Sequence, residues 1–501
     1  MKVTRFIAIA GFAAMLFAAC EQVKPNADDT TSPAELLSFG FYAEDNESLL
    51  DKDYVASVIS EETIIRIPDG GAGKTLVARV EVGDNDVATV NESEVVDGKV
   101  TVDATYPIDI IVTDSESGLS SAYVVKVGKI LGLEMTPLLT YTEPDATLSG
   151  RFHMQINPED GQPYIAYLSE KTDKENQVSV IRWTGSSFEA VGALGFTEGA
   201  DGSRARYPSI AFDNDGKPVV AARYDGNPDN EMSVYTYSGS WSMLGHTSEE
   251  ASSLYEPTVF VSPSDNYPVV MYLGNNVLKH MMVVSKYDGS AMTTATAMSP
   301  SPAVDGSTGA FSRTRAVKVG DAVYVLAVFN GAGYWLYKYE NNSWTAVIQK
   351  FYETNTHFTC ISLKADGQGN LYAMFAADNE TTGDYKIKLY KVDLENATFI
   401  PVGSPIASCT ARTSVYFDFA VNPVNGQIAA VQIGSEDDGI YFGYIDQETG
   451  DWEEFVKVGS KTAGDYPYIG FSADGKGYAA FSTDDGIDLF SVGTEEDILP
   501  E

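Results

Sequence analysis

The sequence predicts an all-β chain, and three observations carry that expectation. Gly (44), Tyr (29) and Phe (23) are abundant among 501 residues, a mix suited to short strands joined by tight turns. Apolar runs of a few residues recur throughout, punctuated by Asp-Gly and Asn-Gly steps that favour hairpins. Beyond about residue 150, one pattern returns every 47 to 59 residues, the mark of a repeated supersecondary unit.

The N-terminus comes first. Lys2 and Arg5 flank and precede an apolar run of 14 residues, Phe6–Ala19, too short for a membrane span of about 20 residues. The run ends in Phe17-Ala18-Ala19-Cys20. Small residues before a Cys at that place resemble the lipobox of bacterial lipoproteins, although Phe17 stands where Leu is usual. The resemblance implies a signal peptide over 1–19 and lipidation of Cys20, which anchors a chain to a membrane without spanning it. A plain secretory signal with an incidental Cys is the alternative. Residues 20–33 are polar, contain Pro and read as a flexible tether.

Residues 34–131 alternate apolar runs with turns. Leu37–Phe41, Thr63–Ile67, Leu76–Val80, Ile108–Val112 and Tyr123–Val127 are strand candidates, and this strand density suggests a β-sandwich. The opening Ser38-Phe39-Gly40-Phe41 and closing Tyr123-Val124-Val125-Lys126-Val127 resemble the N-terminal Ig-like domains of Bacteroidota surface lipoproteins, which implies a spacer.

Residues 132–501 carry the repeat. Tyr207–Val220 aligns without a gap to Phe152–Ile165 and matches Tyr466–Gly475, with looser copies near Glu256, Thr314, Phe358 and Tyr416. A shared turn falls at Gly161, Gly216, Asn266, Gly320, Gly367, Gly426 and Gly475. Each copy reads as four strands; in the second these are Ser209–Phe212, Pro218–Ala222, Ser233–Tyr237 and Trp241–Leu244. The third-to-fourth hairpin carries an aromatic (Phe188, Trp241, Trp344, Trp452) and resembles a degenerate Asp-box of sialidase-type propellers. The expectation is a β-propeller, seven-bladed, whose short last copy is completed by the strand Glu134–Thr142.

In such a ring the first strand of each blade lines a central channel. The position before each first strand holds Arg151, Arg206, Tyr255, Arg313, His357, Val415 and Asp465; the next holds Phe152, Tyr207, Glu256, Thr314, Phe358, Tyr416 and Tyr466. Three of the chain's 11 Arg share this register, with Arg204 and Arg315 beside it. Guanidinium forks match carboxylate or sulfate, and aromatic faces stack on sugars. The predicted ligand site is therefore Arg151, Phe152, Arg206, Tyr207, Tyr255, Arg313, His357, Phe358, Tyr416 and Tyr466. The competing expectation is structural: these Arg pair with acids between the second and third strands, such as Glu170, Asp225 and Asp378.

Composition excludes much else. A formal charge of −38 repels nucleic acid and anionic lipid. No Cys/His set has zinc spacing, and Asp213-Asn214-Asp215-Gly216 lacks the distal Glu of a calcium loop. No cofactor, metal or catalytic residue is predicted. Cys360 and Cys409 fall on different strands of one blade, which disfavours a disulfide. The expected function is a lipid-anchored outer-membrane protein, facing periplasm or cell surface, that binds a glycan, including an anionic one, or a protein at the channel mouth. The alternatives are a glycoside hydrolase or lyase of sialidase-like layout, and a structural subunit of an outer-membrane complex.

Overall fold

A computed structural model of the chain describes residues 34–494 apart from 48, 51–52, 57–58, 60–61, 68–70, 130–131, 172–173, 198–203, 226–229, 252–255, 276, 279–280, 300–311, 330–332, 352–359, 379–384, 410–415, 434–438, 448, 461–466 and 484–485. The described chain is all-β, with one short 3-10 turn at Ala43–Asp45. It divides into two compact units, residues 1–131 with 495–501, and residues 132–494. Among the described residues no helix is long and apolar enough to cross a membrane.

The first unit holds two sheets. One orders Tyr54–Ala56, Leu36–Phe41, Thr75–Val82 and Lys99–Asp103; the other orders Glu62–Ile67, Ser120–Lys129, Ile108–Asp114, Asp86–Val90 and Ser93–Glu94. Alternation decides which face is covered: Leu76, Ala78 and Val80 are buried on one strand, Ile108, Ile110 and Val112 on another. These inward rows meet Phe39, Phe41, Ile67 and Val125 in one apolar core. Glu62–Ile67 runs parallel to Ser120–Lys129, whereas the other pairings are antiparallel.

The second unit holds seven four-stranded antiparallel sheets among its described residues. They are named here sheets one to seven after their first strands: Ala146–Ile156, Arg204–Phe212, Thr258–Val261, Ser312–Val319, Ile361–Ala365, Phe417–Val421 and Tyr468–Phe471. Each first strand lies beside the next, and that of sheet seven lies beside that of sheet one, a propeller-like arrangement. In sheet seven, Tyr468–Phe471, Gly477–Ser482 and Ile487–Thr494 are joined by Leu133–Tyr141, which pairs antiparallel with Ile487–Thr494. The second strands are buried on both faces and read as unbroken apolar runs, for example Pro268–Leu273 and Ala322–Phe329.

Turn chemistry explains the repeat signature. Gly161, Gly216, Gly320, Gly426 and Gly475 all adopt positive φ, and Asn266 takes the same conformation at 60°, which Gly and Asn tolerate best. The fifth turn differs from the expectation. There the positive φ falls on Gly369, while a side chain on Gly367 would collide with the Pro423 carbonyl oxygen of sheet six. Gly367 therefore serves a close approach between sheets.

The hairpin aromatics bridge neighbouring sheets. Trp241 of sheet two stacks on Phe196 at 4.0 Å and donates its indole N–H to the Val191 carbonyl at 2.6 Å. Trp344 of sheet four meets Phe260 of sheet three edge-on at 5.9 Å.

Candidate functional site

The inner ring is tied by side chains that reach from one first strand to the next. His153 Nδ1 accepts the Ile210 N–H (3.0 Å) and Ser209 Oγ accepts the Val259 N–H (3.1 Å). Thr258 Oγ1 donates to the Thr314 carbonyl (2.8 Å), and the Cys360 thiol donates to the Phe417 carbonyl (3.1 Å). Asp418 joins three sheets: its carboxylate accepts from Ser362 Oγ (2.5 Å), Lys364 Nζ (3.1 Å) and the Ile469 N–H (3.0 Å). These groups satisfy backbone N–H and C=O groups of first strands, which lie at the edges of their sheets. Cys360 is a buried free thiol whose pKa is raised by burial, partly offset by Arg313 and Arg315.

Inside this hoop the described residues line three spaces. At the end where first strands begin, a cavity of about 40 Å³ is lined by Arg151, Tyr207, Ser209, Glu256, Arg315 and Tyr468, among others. Below it lies a chamber of about 290 Å³ whose wall includes Lys318, Lys364 and Asp418. His153, Gln155, Arg315, Ala316 and Tyr468 line both, and so form the partition between them. A wider space of about 590 Å³ opens at the far end, beside Lys318 and the turns carrying Glu159 and Asp213. The described walls of the first two spaces bear four cations (Arg151, Arg315, Lys318, Lys364) against two carboxylates (Glu256, Asp418). A cationic lining inside a chain of charge −38 concentrates field lines in the channel.

The partition has defined protonation states. Burial, reinforced by the Arg315 charge, pushes His153 down to about 3, so the imidazole is neutral at ordinary pH. Since Nδ1 accepts a backbone N–H, the proton sits on Nε2. Arg315 is desolvated, yet Glu256, whose Oε2 lies 2.9 Å from Nη2, outweighs that and holds the guanidinium charged. Burial raises the Tyr468 hydroxyl well above its usual range against the opposing pull of Arg315, which leaves Tyr468 a neutral donor and a poor nucleophile.

Two irregularities shape the mouth. The pairing of the first two strands shifts register between Leu148 and Phe152 in sheet one, and between Arg206 and Ser209 in sheet two. In sheets three to seven the same pairing runs without a shift. Arg151 and Tyr207 sit at these two breaks. Tyr207 adopts φ 52°, an unfavourable conformation for an aromatic residue. The Arg151 guanidinium lies 4.3 Å from the centre of its ring, a cation–π contact.

The predicted site residues separate into groups. Arg151 and Tyr207 meet at the mouth. Phe152 is 3% exposed and packs edge-on against Tyr468 at 5.1 Å, so it belongs to the core. Arg206 Nε donates to Asp225, the ion pair that the structural alternative anticipated. Arg313 stands half-buried opposite Val328, and Tyr416 half-buried against the core. Tyr255, His357, Phe358, Tyr466 and the lipidation candidate Cys20 lie outside the described residues, as do the flanking Val415 and Asp465.

Sequence reasoning missed His153, Tyr468 and Asp418 as wall groups. Ser209, Thr258, Cys360, Asp418 and Tyr468 all fall three residues after the predicted register, and that recurring position was the available signal. At the Asp213-Asn214-Asp215-Gly216 turn, Asp213 Oδ1 accepts the N–H groups of Asp215 and Lys217. Among the described residues no group of three or more His, Cys, Asp or Glu is placed to hold a metal.

No protein-family model matches this chain, and no curated protein matches it in sequence. Solved structures do. AofleA from Arthrobotrys oligospora is 11% identical, with a TM-score of 0.41, over 66% of this chain and 92% of its own. The Aleuria aurantia lectin, in complex with Fucalpha1-6GlcNAc, is 15% identical (TM-score 0.40; 59% and 96%). The NanB sialidase from Streptococcus pneumoniae is 10% identical (TM-score 0.38; 93% and 93%). At these levels the function of this chain has to be read from its own residues.

Proposed function

We propose that this chain is an exported lipoprotein, anchored through Cys20 at the outer membrane, that binds a glycan at its channel mouth. In this reading residues 34–131 form an Ig-like spacer. Residues 132–494 form a seven-bladed β-propeller that Leu133–Tyr141 closes.

One observation carries the binding assignment. Tyr207 is lifted out of its ladder by a register break, held at positive φ and covered on one side by Arg151. That backbone costs about 1–2 kcal/mol, and strain of this kind is retained where the surroundings over-determine it, often at binding sites. The result is an aromatic face and a planar cation at the rim of a cavity, groups that together hold a sugar ring and its polar substituents. Beneath them, neutral His153 and Tyr468 present fixed hydrogen-bond donors. Glu256 is the only carboxylate among the described residues lining the mouth. A paired-carboxylate hydrolysis, with groups about 5 to 9.5 Å apart, has less to draw on than binding has.

A glycan array probed with the full-length chain, beside Tyr207→Ala and Arg151→Ala, tests the proposal. Retention of a defined glycan set by the wild type and its loss in both variants is the expected result. Equal retention by all three, or none by the wild type, refutes it. The anchor is tested separately by metabolic labelling with a palmitate analogue, where Cys20→Ser is expected to lose the label.

A further inference from the structure

Beside Tyr207, three guanidinium groups converge on one carboxylate. Arg206 Nε donates to Asp225 Oδ2, Arg204 Nε lies 3.6 Å from the same oxygen, and Arg223 Nη1 lies 2.6 Å from Oδ1. All four residues belong to the hairpin of Arg204–Phe212 and Pro218–Asp225, and its pairing places Arg204 opposite Asp225 and Arg206 opposite Arg223.

The cluster is a built feature. Arg223 is almost fully buried, and its other nitrogens donate to the Ala251 carbonyl (3.2 Å) and Asn230 Oδ1 (2.8 Å). Its guanidinium is thus fixed with one edge towards Asp225. Arg206 and Arg223 form ion pairs with Asp225 alone among the described residues, so a single carboxylate serves two cations before Arg204 is counted. Burial lowers the Arg223 pKa; Asp225 opposes that, and the nearby Arg206 charge adds to it, as expected of a locally cationic cluster. Arg204 and Arg206 keep 42% and 33% of their side-chain surface exposed. Arg206 precedes Tyr207 in sequence, so the cluster adjoins the mouth aromatic.

A pair of oriented guanidinium forks is matched to the planar, two-oxygen shape of a carboxylate. Here the protein supplies that carboxylate itself. We infer that Arg204, Arg206 and Arg223 form a carboxylate subsite for an acidic sugar, and that Asp225 occupies it as an internal surrogate. This rests on the glycan-binding reading above and names its ligand class: a glycan bearing carboxylates, of the uronic-acid type. Asp225 is the last residue of its strand, with 19% of its side-chain surface exposed beside Arg206. A surrogate competes with the ligand. Removing its charge therefore strengthens ligand binding, whereas removing the charge of a purely structural ion pair does not.

The probe is an oligomer of galacturonic acid, measured by calorimetry against the full-length chain, with the neutral galactose oligomer as control. Asp225→Asn is expected to bind the acidic oligomer at least about tenfold tighter than wild type, because a like charge has left the site. The Arg204→Gln/Arg206→Gln double variant is expected to lose that binding. Unchanged or weaker binding by Asp225→Asn, with wild-type near-ultraviolet circular dichroism, overturns the inference. Should Asp225→Asn fail to fold, the wild type decides. The acidic oligomer must raise its unfolding temperature, and must not raise that of the Arg double variant; equal shifts overturn the inference. The two proposals fail differently. Neutral glycan binding that depends on Tyr207 but ignores Asp225 leaves the mouth reading standing and removes the carboxylate subsite. A gain in Asp225→Asn that is insensitive to Tyr207→Ala does the reverse.

Discussion

Sheets one and two differ from sheets five to seven in the pairing at the start of their first strands. On the side of sheets five to seven the ladders run without a break, and the polar groups turn to their neighbours: Cys360 to Phe417, and Asp418 to Ser362, Lys364 and Ile469. In sheets one and two the ladders break at the equivalent place, and Arg151 and Tyr207 turn to the channel mouth. Both sides are fastened, sheets one and two through His153 and Ser209, and only sheets one and two add a broken ladder at the rim. The difference is made by extra residues in the first strand, two in sheet one and one in sheet two, which re-aim a side chain and release its backbone from pairing.

Four substitutions break or sharpen this contrast. The largest effect belongs to the fastening side. Asp418→Ala leaves Ser362 and the Ile469 N–H without their acceptor and Lys364 with only the Ile469 carbonyl among those described. A loss of about 3–5 kcal/mol in urea unfolding is expected, as for a broken buried pair. A loss below about 1 kcal/mol would make Asp418 a surface group and end the contrast.

Tyr207→Gly sharpens the rim side. Gly tolerates positive φ, so the relief offsets part of the lost packing, and stability is expected to change by less than about 1 kcal/mol. Glycan retention is expected to disappear all the same. A loss of stability as large as that of Asp418→Ala would make Tyr207 a fastening too.

His153 sits between the two uses, tying Ile210 while facing the channel. Its folded pKa, about 3, lies below the ordinary value of 6.5. Between those values the unfolded chain binds more protons than the folded one. The His153 contribution is therefore complete above about pH 6.5 and lost as pH falls towards 3. His153→Gln is expected to flatten that part of a stability–pH profile. Glycan binding is expected to stay level between pH 6 and 8, since the imidazole remains neutral throughout. A titration of binding near pH 6.5 would contradict this.

The smallest effect is expected at Cys360. Cys360→Ser keeps a donor for the Phe417 carbonyl and should cost about 1 kcal/mol. In the native protein the buried thiol should resist maleimide labelling, as mass spectrometry of the Cys360 peptide would show.

Much of the fold was legible in the sequence. The strands Pro218–Ala222 and Trp241–Leu244 were placed within a few residues of Pro218–Asp225 and Trp241–His246. The completing strand Glu134–Thr142 lies within one residue at each end of Leu133–Tyr141. The turns were legible because positive φ restricts which residues can occupy them, and only Gly367 misled, because a Gly is also needed where backbones nearly touch. The site was legible in part. The Arg register was visible, but one count of Arg cannot distinguish Arg151, lying over an aromatic ring, from Arg206, already holding Asp225. Phe152 and Tyr207 share a register and both border the mouth, but Phe152 is buried against Tyr468 whereas Tyr207 meets Arg151.

By itself, then, the sequence determined strand periodicity, turn positions, the repeat and the acidic charge. All of these depend on residues close together in the chain, where alternation and backbone restriction act. Only the tertiary structure decided which register breaks and which polar group meets which. Ile210 reaches His153 across 57 residues, Arg315 reaches Glu256 across 59, and Lys364 reaches the Ile469 carbonyl across 105. Such partners are set by how neighbouring sheets pack around the channel, and local sequence does not encode that packing.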